Sequence, residues 1–377
     1  MSSPDEAREA RPRAGLGKVL VRLGLSLLAG LVLLEVAMRV VLFVDVPGLQ
    51  KLSVRMRQPD NFYAKFEPEY WTTSVRFKPP ERLRPNPGYD PVTGWLGQRI
   101  ESGTYAHQSE SLILSRRPVL LFGDSFAQCT TAQRDCWEGL LARSDLDRDY
   151  LLLNYGVGGF GFDQTYLLMR GAVDRFREQN PVVIVSVLVD DDLDRIVLPF
   201  RGWPKPLFGL EGGELIEPET VAPDTQAYIE QHAPPVWSWS WRYLLHGTRL
   251  LPRSWRADPE DVRERIRELT HALLRAIQAH LDARGVDWFV LLFHGKSSLT
   301  PGAVNQVWEH DFLIETLREM EIPYISSRRA LVEHRLRTKT EPPLYFFTGG
   351  VKGGHYTPLG NEAVFPAILR GISGDFD

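Results

Sequence analysis

The stretch "VLLFGDSFAQ", residues 119–128, drives an apolar run straight into Gly123-Asp124-Ser125. A serine that ends a buried strand and opens a helix can present its Oγ at the sheet edge, with its own amide aimed where an oxyanion would form. A second such end is "NYGVGGFGFDQ", residues 154–164, directly after "YLLL". Its glycines let the backbone approach a ligand closely and turn amides inward. A third, "VLVDDDLDR", sets Asp190, Asp191 and Asp192 behind another apolar run. Near the C-terminus, "GGHYTPLGNEAVFPAIL" places His355 in a glycine-rich loop ahead of an amphipathic final helix. Of the nine histidines it is the one whose neighbours free the backbone to turn the ring toward a site. A nucleophile, a base and backbone donors would together support acyl transfer through serine. Each piece also has an ordinary structural reading: Asp124 or Ser125 as a helix N-cap, the glycines as a strand-to-helix turn, the acidic run as a solvated helix start, the histidine as a packing residue.

The elements that would carry these residues follow from periodicity. "PVLLF", "YLLLNYG", "PVVIVSVLV" and "VDWFVLLF" are short, nearly continuous apolar runs rich in branched residues, as strands buried on both faces require. Helical patterns lie between them, over 164–179 and over the charge-laced 259–284. Alternating strand and helix predict an α/β domain over 117–377 built on a parallel sheet, with its chemistry at the C-terminal ends of the strands. Residues 200–256, rich in Pro, Gly and Trp, break the alternation and read as an insertion near the site. Residues 45–116, rich in Pro, Arg and aromatics with no sustained period, read as an extended segment packed on the larger body.

With 377 residues, 43% of them hydrophobic, the chain has apolar material for one large domain or two small ones. A net charge of −4 provides no basic field to gather nucleic acid, which is excluded as a partner on that ground. The two cysteines, Cys129 and Cys136, supply neither a zinc ligand set nor a dense disulfide framework; a local bridge and a pair of reduced buried thiols both fit.

Residues 18–44 are mostly apolar and long enough at helical rise to cross a bilayer core of roughly 30 Å. Arg22, Glu35 and Arg39 interrupt the run. Arg22 can snorkel to one interface, and Glu35 and Arg39, four apart on one helical face, can pair near the other. A retained anchor, with residues 1–17 as a cytoplasmic tail and the bulk outside, is the reading adopted. An interfacial helix or a cleaved signal peptide are its alternatives, although no small-x-small cleavage site follows.

The order of the four strand-end pieces resembles the SGNH/GDSL hydrolase family. The first family block is matched by Gly123-Asp124-Ser125-Phe126. The second, N-x-G-x-x-G followed by Asp-Gln, is matched by Asn154, Gly156 and Gly159 with Asp163-Gln164, and the last by His355 with its "TPLGN" turn. The match runs in order from Pro118 to Arg370. It implies a three-layer α/β/α fold, Ser125 as nucleophile, His355 as base, and the amides of Ser125 and Gly159 as oxyanion donors, with no metal or organic cofactor. Two departures stand out. The third block carries Asp, most simply Asp191 or else Asp190, where the family has Asn. The positions where the family places an acid before the histidine are Lys352 and Gly353, so an aspartate of the 190–192 run is the candidate to orient His355.

The N-terminal span, Lys296 in "LLFHGKSSL" and the "HYTP" turn are also similar to membrane-linked members of the superfamily that add or remove acetyl groups on exported polysaccharides. In the alginate-acetylating members the histidine block precedes the serine block; here it follows, in the ordinary hydrolase order. The expectation is a membrane-anchored, periplasmic serine esterase acting on an ester such as an O-acyl group of an exported glycan. Asp124, Asn154, Gly156, Asp190 and Lys296 would be its substrate-side residues. The alternatives are an O-acetyltransferase and a non-catalytic glycan-binding protein in which Trp203, Trp237, Trp239 and Trp241 stack sugars; the same tryptophans would otherwise plug the domain.

Overall fold

A computed structural model describes residues 15–77, 86, 88–97, 115–233, 236–256, 258–299, 308–350 and 352–377. Five strands form one sheet: β1 (Arg117–Gly123), β2 (Tyr150–Gly156), β3 (Val182–Leu188), β4 (Asp287–Phe293) and β5 (Tyr324–Ser326). They pair in the order β2-β1-β3-β4-β5, all parallel. Alternation along each strand sends Leu120 and Phe122 into one apolar layer and Val119 and Leu121 into the other. The first layer is closed by the helices Phe162–Ala172, Pro259–Asp282 and Trp308–Glu319, the second by Trp137–Leu141, Ser327–Thr338 and Pro358–Ile372. This is the three-layer parallel arrangement expected from the sequence. The chain leaves β1 toward β2 on one side and reaches β3 on the other, so a crevice opens between the carboxyl ends of β1 and β3.

Two local expectations need correction, and one short strand was not legible. The helix expected over 164–179 begins at Phe162, and its second half, Val173–Gln179, tightens to a 3-10 turn that closes on Asn180 in the left-handed conformation, φ 48°. β5 is only three residues long, too short for its period to register. The segment read as extended contains the helices Gln50–Met56 and Pro68–Arg76 and a hairpin pairing Tyr89–Asp90 with Gly94–Trp95; residues 78–85, 87 and 98–114 lie outside the described residues. Pro at the first position of Pro68–Arg76 starts that helix where proline's fixed φ is favourable.

The N-terminal helix, Gly15–Phe43, is long and apolar enough to cross a membrane. From Val19 to Leu34 its apolar side chains are largely exposed, whereas Met38 and Leu42 are buried with Phe62, Tyr63, Tyr70, Phe77 and Trp239. The structure explains the two charges that interrupt the apolar run. The Glu35 carboxylate accepts from Ser238 Oγ (3.0 Å) and from the amides of Trp239 (3.1 Å) and Ser240 (3.0 Å). It thereby caps the helix Trp239–His246 of the insertion, and it also takes the Arg39 Nε–H at 2.8 Å. Arg39 in turn donates to the carbonyls of Val236 (3.3 Å) and Trp237 (3.4 Å). Two further bonds, Ser53 Oγ to the Val41 carbonyl and Arg57 Nε to the Leu42 carbonyl, satisfy acceptors at the end of the N-terminal helix.

Glu35→Ala is expected to lower stability by about 1–2 kcal/mol, the scale of a lost N-cap. Glu35→Gln, which keeps an acceptor, should lose less. Thermal unfolding of the detergent-solubilised chain measures both.

Candidate active site

Ser125 follows β1 as the first residue of the short helix Ser125–Gln128. Its amide lies in the first turn, where no preceding carbonyl is available to receive it. Asp124 is fully buried, and its carboxylate accepts the Phe126 amide at 2.8 Å, so it caps this helix. The expectation that Asp124 meets the substrate is therefore corrected: its carboxylate has no exposed surface to offer. His355 Nε2 stands 2.8 Å from Ser125 Oγ, and the same hydroxyl is 3.2 Å from Asp124 Oδ2.

His355 is held by the loop's own backbone. Its amide and its Nδ1 both face the Lys352 carbonyl, at 3.1 and 3.2 Å, and its carbonyl accepts the Phe347 amide at 2.9 Å. The ring lies beside Phe126, centroid to centroid 5.2 Å, while Tyr356 packs edge-on to Phe126 at 5.0 Å. The Tyr356 hydroxyl donates to the His294 carbonyl at the end of β4 (2.9 Å) and is within 2.9 Å of Ser327 Oγ. His294 is buried, which pushes its imidazole down to about 3 and leaves it neutral, bonded to His310 at 2.9 Å. No aspartate of the 190–192 run contacts His355 among the described residues; the expected carboxylate orienter is replaced by a main-chain carbonyl.

The glycine-rich end of β2 serves two ends. Asn154 Nδ2 donates to the Ala127 carbonyl (2.8 Å) and to Glu138 Oε2 (3.1 Å), and its Oδ1 takes the Gly156 amide (2.9 Å). At Gly156 a Cβ would come within 2.6 Å of Gln128 Cα. Both residues are thus corrected from substrate contacts to braces that let β2 pass under the Ser125 helix. Gly159, by contrast, lines the cleft with φ +86°, a conformation an L side chain adopts only with strain.

The acidic run after β3 is organised by Arg195, which the sequence reading overlooked. This guanidinium is 3% exposed. It binds Asp192 at 2.7 Å, lies 3.5 Å from Asp124, and also holds Asp191 and the Phe160 carbonyl. The Asp192 carboxylate additionally accepts the Leu188 amide at 2.8 Å. Burial, with the nearby Asp124 charge, pushes Asp192 well above the ordinary carboxylate range. Burial also opposes the charge on Asp191, but Arg195 and Arg201 outweigh it and hold that carboxyl below its usual value. The signal was present in "DDDLDR", where an arginine stands three and four residues after two aspartates on one helical face. Nearby, Lys205 of the insertion is buried against Asp163 at 2.5 Å and donates to the Arg195 carbonyl at 3.1 Å.

The resulting cleft, about 910 Å³, is lined by Ser125, His355 and Gly159 together with Asp190, Asp191 and Lys296. Tyr70 and Trp71, from the helix Pro68–Arg76, form its aromatic wall, and Arg201 stacks on Trp71 at 4.7 Å. Asp190 accepts from Ser297 Oγ at 3.1 Å. None of Trp203, Trp237, Trp239 and Trp241 is among the lining residues: Trp203 packs on Trp95 and Trp239 on the N-terminal helix, as a plug rather than a sugar platform. Cys129 and Cys136 are bridged, just past the Ser125 helix. Asn361 of the final helix donates to Cys129 Sγ (3.3 Å) and to the Asp135 carbonyl (2.8 Å), joining that loop to the helix behind His355. Among the described residues no cluster of His, Cys, Asp and Glu could hold a metal ion.

No family model matches this chain, and no curated protein does. Solved structures do align with it. The acetylxylan esterase Axe2 from Geobacillus stearothermophilus is 13% identical over 68% of this chain and 94% of its own, with a TM-score of 0.36. The acetyl xylan esterase AlAXEase is 15% identical over 68% and 99%, with a TM-score of 0.38. The alpha/beta hydrolase LAE5 from the metagenome of Lake Arreo, Spain, is 11% identical over 68% and 95%, with a TM-score of 0.39. Superpositions this loose carry no chemistry over to this chain.

Arg195→Met would leave buried carboxylates without their shared cation and is expected to cost about 3–5 kcal/mol. Arg195→Lys, which keeps the charge but loses the fork, should cost less; urea unfolding ranks the two.

Proposed function

We propose that this protein is a membrane-anchored serine esterase or deacylase of the SGNH type, and the observation that carries the reading is the 2.8 Å approach of His355 Nε2 to Ser125 Oγ inside an open cleft. With the Nδ1 proton donated to the Lys352 carbonyl, Nε2 is left as an acceptor for the serine proton. Ser125 Oγ attacks the acyl carbon and its proton passes to His355. The carbonyl oxygen becomes an oxyanion facing the amides of Ser125 and Gly159. Collapse expels the alcohol, which takes the proton from His355, and leaves an acyl-serine. A second hydroxyl, deprotonated by His355, then releases the acyl group and restores Ser125.

Asp191 takes no charge-bearing part in this scheme, since Arg195 and Arg201 compensate it. The third family block then serves to set the cleft wall rather than to donate to the oxyanion. Asp190 and Lys296, at the rim, would meet the substrate, and Tyr70 and Trp71 offer flat apolar faces suited to a sugar ring. An acyl group on an exported glycan fits that wall. Water as second hydroxyl makes the protein a hydrolase. The cleft volume of about 910 Å³ also admits a second reading, in which a sugar hydroxyl enters and the protein is an O-acetyltransferase.

The N-terminal helix would span the bilayer with the site on the extracytoplasmic side. Two observations support this: the helix end is built into the core through Met38 and Leu42, which a cleaved signal would remove, and the Cys129–Cys136 bridge suits an oxidising compartment.

Turnover of p-nitrophenyl acetate by the detergent-solubilised chain tests the enzyme reading. Ser125→Ala and His355→Ala should each lower kcat/KM by at least about 10³-fold. Equal rates for wild type and Ser125→Ala would overturn it.

A further inference from the structure

The insertion carries apolar side chains that the cleft does not use. Trp237 is 78% exposed, Leu250 76% and Trp255 58%, and Trp241 also reaches solvent, its ring 6.1 Å from that of Trp255. The backbone that carries Trp237 and Trp241 is joined to the N-terminal helix by the bonds that cap the helix Trp239–His246. Arg39 holds the carbonyl of Trp237, and Glu35 holds the Ser238 hydroxyl that in turn accepts the Trp241 amide. The rim therefore begins at the level of the N-terminal helix where its exposed apolar surface ends and its buried residues begin.

We propose that this rim, Trp237, Trp241, Leu250 and Trp255, is a membrane-docking surface whose occupant is the interfacial layer of the lipid leaflet beside the anchor; the proposal rests on the anchor reading above. Three physical facts point to lipid. Tryptophan, with an apolar ring and a polar N–H, is the side chain that favours the headgroup boundary. The rim is continuous with a helix already apolar enough to cross the bilayer. The Glu35 and Arg39 bonds tie the insertion to the helix at that boundary. The helix Pro68–Arg76 contributes Tyr70 to the core around Met38 and Leu42 and Trp71 to the cleft. The leaflet, the anchor and the cleft wall are thus mechanically one unit, and the site is held at a set height for an ester presented close to the membrane.

The test uses the full chain reconstituted in phosphatidylcholine vesicles whose acyl chains are brominated at a shallow position, with tryptophan emission as readout. Wild type is expected to be quenched about two-fold more than Trp237→Phe/Trp241→Phe/Trp255→Phe. The single variant Trp237→Phe, at the most exposed position, should give an intermediate value and guards against misfolding of the triple variant, as does thermal unfolding of both. Equal quenching in a chain that resists alkaline carbonate extraction would overturn the docking and leave the anchor standing. Extraction of the wild-type chain by carbonate would overturn the anchor, and the docking with it.

Discussion

The carboxyl ends of β1, β2 and β3 converge on a small volume that is apolar behind and wet in front, and every polar group brought there must find a partner or destabilise the fold. Arg195 is the group on which this convergence depends. Its planar fork reaches Asp192 and Asp191 of its own turn, the Asp124 that caps the Ser125 helix, and the Phe160 carbonyl next to Gly159. Burial of a guanidinium is costly, and the surrounding carboxylates hold its charge against that cost. One side chain thereby sets the mutual position of the Ser125 helix, the glycine turn and the acidic turn. The buried Lys205–Asp163 pair repeats the device one layer out and pins the insertion to the same turn.

The histidine reaches the site by a different route. In place of a carboxylate, the Lys352 carbonyl faces Nδ1, and Phe126, itself held edge-on by Tyr356, lies beside the ring. A carbonyl fixes the tautomer by accepting the same proton a carboxylate would, but brings no full negative charge to stabilise an imidazolium. Such a dyad gives geometry first and electrostatics second. The buried, neutral His294 continues this logic, since its backbone carbonyl fastens Tyr356 and hence the loop that carries His355.

The N-terminal helix is bound to the domain as structure, not as a tether. Glu35, whose charge would be unfavourable in lipid, lies where an orphan helix N-terminus needs an acceptor, so one carboxylate answers two problems. The aromatic cluster of Phe62, Phe77 and Trp239 then carries that junction toward the helix whose Tyr70 and Trp71 line the cleft.

Periodicity and composition alone determined the parallel α/β layers, the four longer strands, the long helix that begins at Pro259, the apolar N-terminal helix and the strand-end location of the polar motifs, because each of these is a local pattern that burial imposes on contiguous residues. The separate roles within the motifs were not local. Gly156 and Gly159 stand in one glycine run, yet one yields to a neighbouring backbone and the other lines the cleft. Asp124 and Asp191 look alike in the chain, but one is a buried cap and the other a compensated wall residue. The pairing of Cys129 with Cys136, the neutralising of the acidic run and the replacement of an acid by a carbonyl were decided only by tertiary structure. Each is a contact whose energy depends on distance and desolvation in the folded backbone: neighbours in the chain such as Cys129 and Cys136, Arg195 and Asp192, or His355 and Lys352 meet only when their turns are fixed, as Ser125 and His355 meet across 230 positions.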